Sequence, residues 1–121
     1  MLPYEKYIYL NNRGTSYYYR EDYQTAIKYF QKVIDLVEGY DDMSFELNLG
    51  RLNLGDCYLQ LNMVDLAVKY INECQLFFEE MGVSTALYYI DTQKIELALL
   101  QKDLRGASFI VRECSPSGHR P

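Results

Sequence analysis

The segment "GTSYYYREDYQTAIKYF" (residues 14–30) returns in altered form as "GDCYLQLNMVDLAVKYI" (residues 55–71). Gly14 falls on Gly55, Tyr17 on Tyr58, Ala26 on Ala67 and Phe30 on Ile71. Beyond the segment Val33 falls on Cys74, and every one of these pairs is 41 positions apart. A period of this size marks a chain built from stacked supersecondary units, each of which needs its neighbour to cover an apolar face. A third copy follows one residue out of step: Ala67 to Ala107, Ile71 to Val111 and Cys74 to Cys114 are each 40 apart. Its first half departs from the pattern, with Ile95 in the glycine position and Ala98 in the tyrosine position.

Within each copy apolar residues recur at three- and four-residue steps, as in Ala26, Ile27, Phe30, Val33 and Ile34, the spacing of an amphipathic helix. The unit is a helical hairpin. The expected helices span 4–20, 23–38, 43–61, 64–80, 85–101 and 104–114. Asp22, Asn62 and Asp103 are placed to cap the second helix of each unit, while Asp41, Asp42, Ser44 and Ser84 are placed to start first helices. Gly39 and Gly82 follow helical runs where a left-handed residue is wanted. Gly14 and Gly55 lie inside helices, where glycine costs about 1 kcal/mol against alanine. Close packing against Ala26 and Ala67 of the second helices is the expected compensation.

The chain has 121 residues, about one domain. With 49% hydrophobic and 24% charged residues it has the balance of an ordered protein. A net charge of -5 with no basic run gives no footprint for phosphate backbones, so nucleic acid is not expected as a partner. No apolar stretch approaches a membrane span, so no membrane contact is expected. A cytoplasmic location follows, or a periplasmic one if the segment is excised from a membrane sensor. The cysteines Cys57, Cys74 and Cys114 lack ligand or disulfide spacing and fit small buried positions. His119 stands alone in the tail "SPSGHRP", residues 115–121, so no histidine-dependent catalytic or metal site can form within the chain. "GRLNLGDC", residues 50–57, has Asp56 and Cys57 where a phosphate loop needs lysine and a hydroxyl. No enzyme activity, cofactor or metal site is expected.

The glycine, aromatic and alanine spacings, with Leu10 ahead of Gly14, Tyr17, Ala26, Phe30 and Val33, resemble the tetratricopeptide repeat family in a longer variant. The usual unit is about 34 residues. The resemblance implies an all-α superhelical solenoid of three helix-turn-helix hairpins within a single domain, residues 1–114, with units at about 7–41, 48–82 and 88–114. Arg51 and Asp91 depart from the family's apolar position matched by Leu10. Long units of this kind look like those of bacterial regulators and sensor kinases, which implies a non-catalytic module that binds a protein or peptide segment in a signalling protein.

The family's concave positions, carried over residue by residue, fall on Ile8, Asn11, Thr15, Tyr18 and Tyr19 of the first unit. They continue on Leu49, Leu52, Asp56, Leu59 and Gln60 of the second and on Tyr89, Thr92, Glu96, Leu99 and Leu100 of the third. Such a surface suits a peptide, with tyrosine supplying contact area at small entropic cost. Periodicity alone does not separate a groove from a wide core built of the same residues. Asn53 matches the family's clamp for peptide C-termini, but Asn11, Thr15, Tyr89 and Gln93 stand where the others of that set are expected, so no such clamp is implied. Repeat arrays end in a helix with a polar outer face. The last expected helix instead carries Leu104, Phe109, Ile110 and Val111, and self-association into a homo-oligomer is the alternative expectation.

Overall fold

The computed structural model describes residues 2–113, with side chains as far as residue 103. Helix α1 (Pro3–Tyr19) is followed by α2 (Tyr23–Val37), a 3-10 turn (Asp41–Met43), α3 (Ser44–Gln60), α4 (Val64–Met81) and α5 (Ser84–Glu113). The main packing pairs are α1 with α2 and α3 with α4, each pair a hairpin; α2 packs on α3, and α5 lies against α4 and α3. The all-helical repeat architecture is the expected one.

Both hairpin turns are closed by the same device. The Glu21 N–H donates to the Tyr18 carbonyl at 2.9 Å and the Asp22 N–H to the Tyr17 carbonyl at 2.9 Å. The Asn62 and Met63 N–H groups repeat this on Leu59 and Tyr58, again at 2.9 Å. This paired bonding needs a left-handed residue at the turn, and Glu21 (φ 62°) and Asn62 (φ 61°) supply it 41 positions apart. Asn62 therefore ends α3 instead of capping α4, whose N-cap is Met63. Gly82 (φ 66°) closes α4 in the same way. Gly39 does not adopt the left-handed state, because α2 ends on the helical Glu38 and the chain runs on into the 3-10 turn. Asp22 caps α2 as expected, accepting from the Thr25 N–H at 3.2 Å. Ser44 and Ser84 are the first residues of α3 and α5.

The repeated glycines sit at the closest approach of each hairpin. A methyl group at Gly14 would lie 2.7 Å from Phe30 Cε1, so the ring of Phe30, and not Ala26, fills the space that glycine leaves. At Gly55 the neighbours are Ile71 Cγ1 at 2.9 Å and the Ala67 carbonyl oxygen at 3.5 Å. Beside them Tyr17 stacks on Tyr29 with ring centroids 5.6 Å apart, and Tyr58 stacks on Tyr70 at 5.7 Å, which repeats the contact one period later. Gly50 serves a different junction: its α-carbon faces Ile34 Cγ1 across the α2–α3 contact, where a methyl group would lie 3.1 Å away. Apolar burial is continuous through the stack. Phe30, Leu54 and Cys57 pack between the hairpins, while Ile71, Cys74, Phe78 and Ile90 join α4 to α5. Each large side chain of this kind contributes about 1.5–3 kcal/mol on burial.

The third hairpin is where the structure departs from expectation. Helix α5 runs on to Glu113 with no turn at Asp103, so the described residues form five α-helices where six were expected. Ile95, in the glycine position, is 62% exposed. Gly14 and Gly55 admit a second helix because they have no side chain. A branched residue in their place does not permit so close an approach, and α5 runs on unbroken. The side chains of Leu104, Phe109, Ile110 and Val111 lie outside the described residues, as do those of Ala107, Cys114 and His119.

Gly14→Ala gains about 1 kcal/mol of helix propensity but forces the buried Phe30 ring aside, at a cost of about 1–3 kcal/mol. We expect urea denaturation to show a net loss of about 1 kcal/mol, reduced when Phe30→Leu is added. Gly39→Ala, with nothing within 4 Å of the added methyl, should leave stability essentially unchanged.

Candidate functional site

One side of the molecule is lined by α1, α3 and α5, and its centre is Asp56 on α3. This carboxylate is 4% exposed. Burying a charge costs several kcal/mol unless hydrogen bonds replace water. Two neutral donors do so, with a third neutral group close by. The Tyr89 hydroxyl of α5 donates to Oδ2 at 2.6 Å, the Gln60 amide of α3 donates to Oδ1 at 3.3 Å, and the Tyr18 phenol of α1 is held against the same carboxylate. Burial first, and then the bonded Asp56 charge, raise the pKa of both phenols well above the ordinary value. Both remain protonated donors. Tyr18 is fixed from its other side by edge contacts with Tyr19 and Tyr23, at centroid distances of 5.4 Å.

Two adjoining cavities open over this network. One, of about 210 Å³, is lined by Thr15, Tyr19, Phe30 and Asn53. The other, of about 240 Å³, is lined by Gln60, Tyr88, Thr92, Gln93 and Glu96. Tyr18, Asp56 and Tyr89 are common to both. Neither lining contains lysine or arginine. Gln93 is 2% exposed, and neither its amide oxygen nor its amide nitrogen has a hydrogen-bond partner among the described residues. On the far side of the first cavity the Asn53 amide donates to Asn11 at 3.5 Å.

Of the residues expected on the concave face, Thr15, Tyr18, Tyr19, Asp56, Tyr89, Thr92 and Glu96 converge on these cavities. Asn11 adjoins them through Asn53, and Ile8 is exposed farther along α1. Leu52 and Leu59 do not line the groove. Each is 5% exposed and packed in the cluster that holds Ala67, Ile71 and Ile90. They turn inward because α4 and α5 both cover that side of α3. Phe30, Tyr88 and Gln93 enter the lining without having been expected there. For Gln93 a signal was present: it interrupts the buried stripe of Ile90 and Leu97 with an amide, and a polar residue at a core position asks for a partner.

The two described cysteines are buried and free. Burial, with the nearby Asp56 charge second, pushes the Cys57 thiol up to about 12 from its ordinary 9.0. Burial likewise takes Cys74 to about 11. The thiolate, the reactive form, is therefore suppressed at both. Arg51, the departure from the apolar pattern of Leu10, reaches across to Glu73 of α4 at 3.9 Å.

With this fold and groove in place, the class is that of helical-hairpin repeat modules for protein–protein interaction. Two family profiles, both described as tetratricopeptide repeat, match residues 7–40 and 50–76, the first two hairpins. The anaphase-promoting complex subunit CDC16 of Saccharomyces cerevisiae is 30% identical over 94 residues, which is 74% of this chain and 11% of that protein. The chain thus spans a small part of the curated relative it matches. No solved structure matches. The chain belongs to the tetratricopeptide repeat family.

The raised thiol and phenol pKa values predict an alkaline limit for the fold. Tyr7 is pushed up to about 12 from 10.0, chiefly by burial, and joins Cys57, Cys74, Tyr18 and Tyr89. Each binds its proton more tightly when folded than when unfolded, so its contribution is complete below the unfolded pKa and is lost as pH climbs through the folded one. Unfolding free energy should stay level near neutral pH and fall from about pH 9 upward. Urea titrations across that interval check this; a level profile through pH 10.5 would contradict it.

Proposed function

We propose that the groove between α1, α3 and α5 holds a segment of a partner protein, without catalysis. The convergence of residues from three helices on two adjoining cavities carries this reading. Small-molecule pockets run to about 300–1,000 Å³. The cavities here are smaller and side by side, the arrangement suited to successive side chains of a peptide. Tyr18, Tyr19 and Tyr89 offer rigid contact area, and Asn53 and Thr92 offer hydrogen bonds to its backbone. The likeness of the long units to those of bacterial regulators and sensor kinases suggests a signalling protein as the setting. The yeast relative suggests a second setting, a multi-subunit assembly. No helix among the described residues is long and apolar enough to cross a membrane.

A second reading rests on the outer face of α5. Ile95 and Leu99 lie on one stripe of the helix and are 62% and 57% exposed. In the first two units the equivalent face is covered by the second helix of the hairpin. Here a second copy of the chain would cover it, which makes this stripe a self-association surface; the expected Leu104, Phe109, Ile110 and Val111 have side chains outside the described residues.

Selection from a phage-displayed peptide library should return sequences whose binding falls in Tyr19→Ala and survives in Tyr9→Ala, an exposed tyrosine outside both cavity linings. Peptides that bind the Tyr19 variant as well as the original chain would sink the groove reading. For the second reading, light scattering across a concentration series should give a dimer that Ile95→Asp dissociates. A chain monomeric at every concentration removes it.

A further inference from the structure

We propose, resting on the groove reading above, that the cavity pair selects an arginine side chain of the bound segment and seats its guanidinium on Asp56 between Tyr18 and Tyr89. The carboxylate is buried, yet its hydrogen-bond partners are neutral, the Tyr89 phenol and the Gln60 amide, and its neighbour in both cavities, the Tyr18 phenol, is neutral too. Neutral donors offset its desolvation but leave its charge uncompensated, and in a water-poor pocket that charge attracts a cation strongly. No lysine or arginine lines either cavity, and the arginines within α1 and α3 are held by other groups. Arg13 lies 5.6–6.0 Å from the rings of Tyr9, Tyr17 and Tyr29, and Arg51 pairs with Glu73. Glu96, on the wall of the second cavity, adds another negative charge to a lining that has no positive one.

Gln93 points independently to a missing donor. Its amide is buried in the wall of the cavity that Asp56 also lines, with both polar atoms unpartnered among the described residues. Buried amides without partners are rare in native folds. A ligand with several N–H groups in one plane meets both demands, because it donates to the carboxylate and to the Gln93 oxygen from one rigid fork. Guanidinium has five such donors and stacks on aromatic faces. The lysine ammonium is a compact, strongly hydrated point charge, and gains less from a flat aromatic slot.

The test uses short positional peptide libraries with arginine, lysine, citrulline, leucine or glutamate fixed at the centre, measured against the full chain. Citrulline keeps the shape of arginine and removes the charge. The arginine pool should bind about tenfold or more tightly than the citrulline pool, the scale of a charge-assisted hydrogen bond. Asp56→Asn should bring that ratio close to one, and Gln93→Leu should lower it in part. Should Asp56→Asn not fold, Tyr19→Lys decides. It places a fixed cation at the rim on a residue that is 78% exposed, and should remove the arginine preference. Equal binding of all pools overturns the arginine inference and leaves the groove reading standing. Binding of no pool overturns both. An arginine preference that survives Asp56→Asn, or Tyr19→Lys where that variant is the one used, overturns the seat proposed here.

Discussion

The architecture depends on how closely two helices can approach at one point in each hairpin. Phe30 lies over Gly14 and Ile71 over Gly55 at distances that any added side-chain carbon would violate. That approach lets Tyr17 stack on Tyr29 and Tyr58 on Tyr70, and it sets the tilt at which the next hairpin adds. Gly50 against Ile34 then carries the stacking from the first hairpin to the second. Because each hairpin packs its second helix outward in the same way, the first helices come to lie side by side. The groove is a consequence of the glycines, although no glycine lines it.

A groove made in this way would be an ordinary polar surface but for Asp56. A buried carboxylate destabilises the fold unless its lone pairs are met. Here the partners outside its own helix come from α1 and α5, so the network ties together three helices whose mutual packing is otherwise thin. The tyrosines are therefore divided between two duties. Tyr17, Tyr29, Tyr58 and Tyr70 brace the hairpins; Tyr18 and Tyr89 hold a charge at the bottom of the groove.

The repeat and the bounds of the first four helices were legible in the sequence because they rest on local periodicity and on small residues at fixed spacing; the same spacing brings Thr15, Tyr18, Asp56 and Tyr89 to one side of the molecule. What was not legible depends on residues distant in the chain. In the 41-residue register Asp56 matches Thr15, and nothing in that comparison marks it as buried, since its burial follows from Tyr18 and Tyr89 on other helices. Leu52 and Leu59 share the stripe of the groove residues by spacing. Only the position of α4 and α5 decides that they face inward. Asn62 reads as a helix cap from composition, but the bonding that ends α3 claims it first as the left-handed residue.

The third unit shows how one position can redirect an array. With Ile95 where glycine stands twice before, the close approach that would fold the chain back is sterically closed, and α5 continues as one helix. The same change has two opposite effects on surface. It leaves Ile95 and Leu99 uncovered on the outer face, which is unfavourable in water and asks for a partner. On the inner face it costs nothing, because Tyr89 and Gln93 lie on the side of α5 turned toward α3 and are held there by Asp56 and by the core around Ile90. The groove is thus insulated from the loss of the third hairpin. Groove binding and association through the outer face of α5 draw on different residues of one helix, Tyr89 and Gln93 for the groove and Ile95 and Leu99 for the outer face.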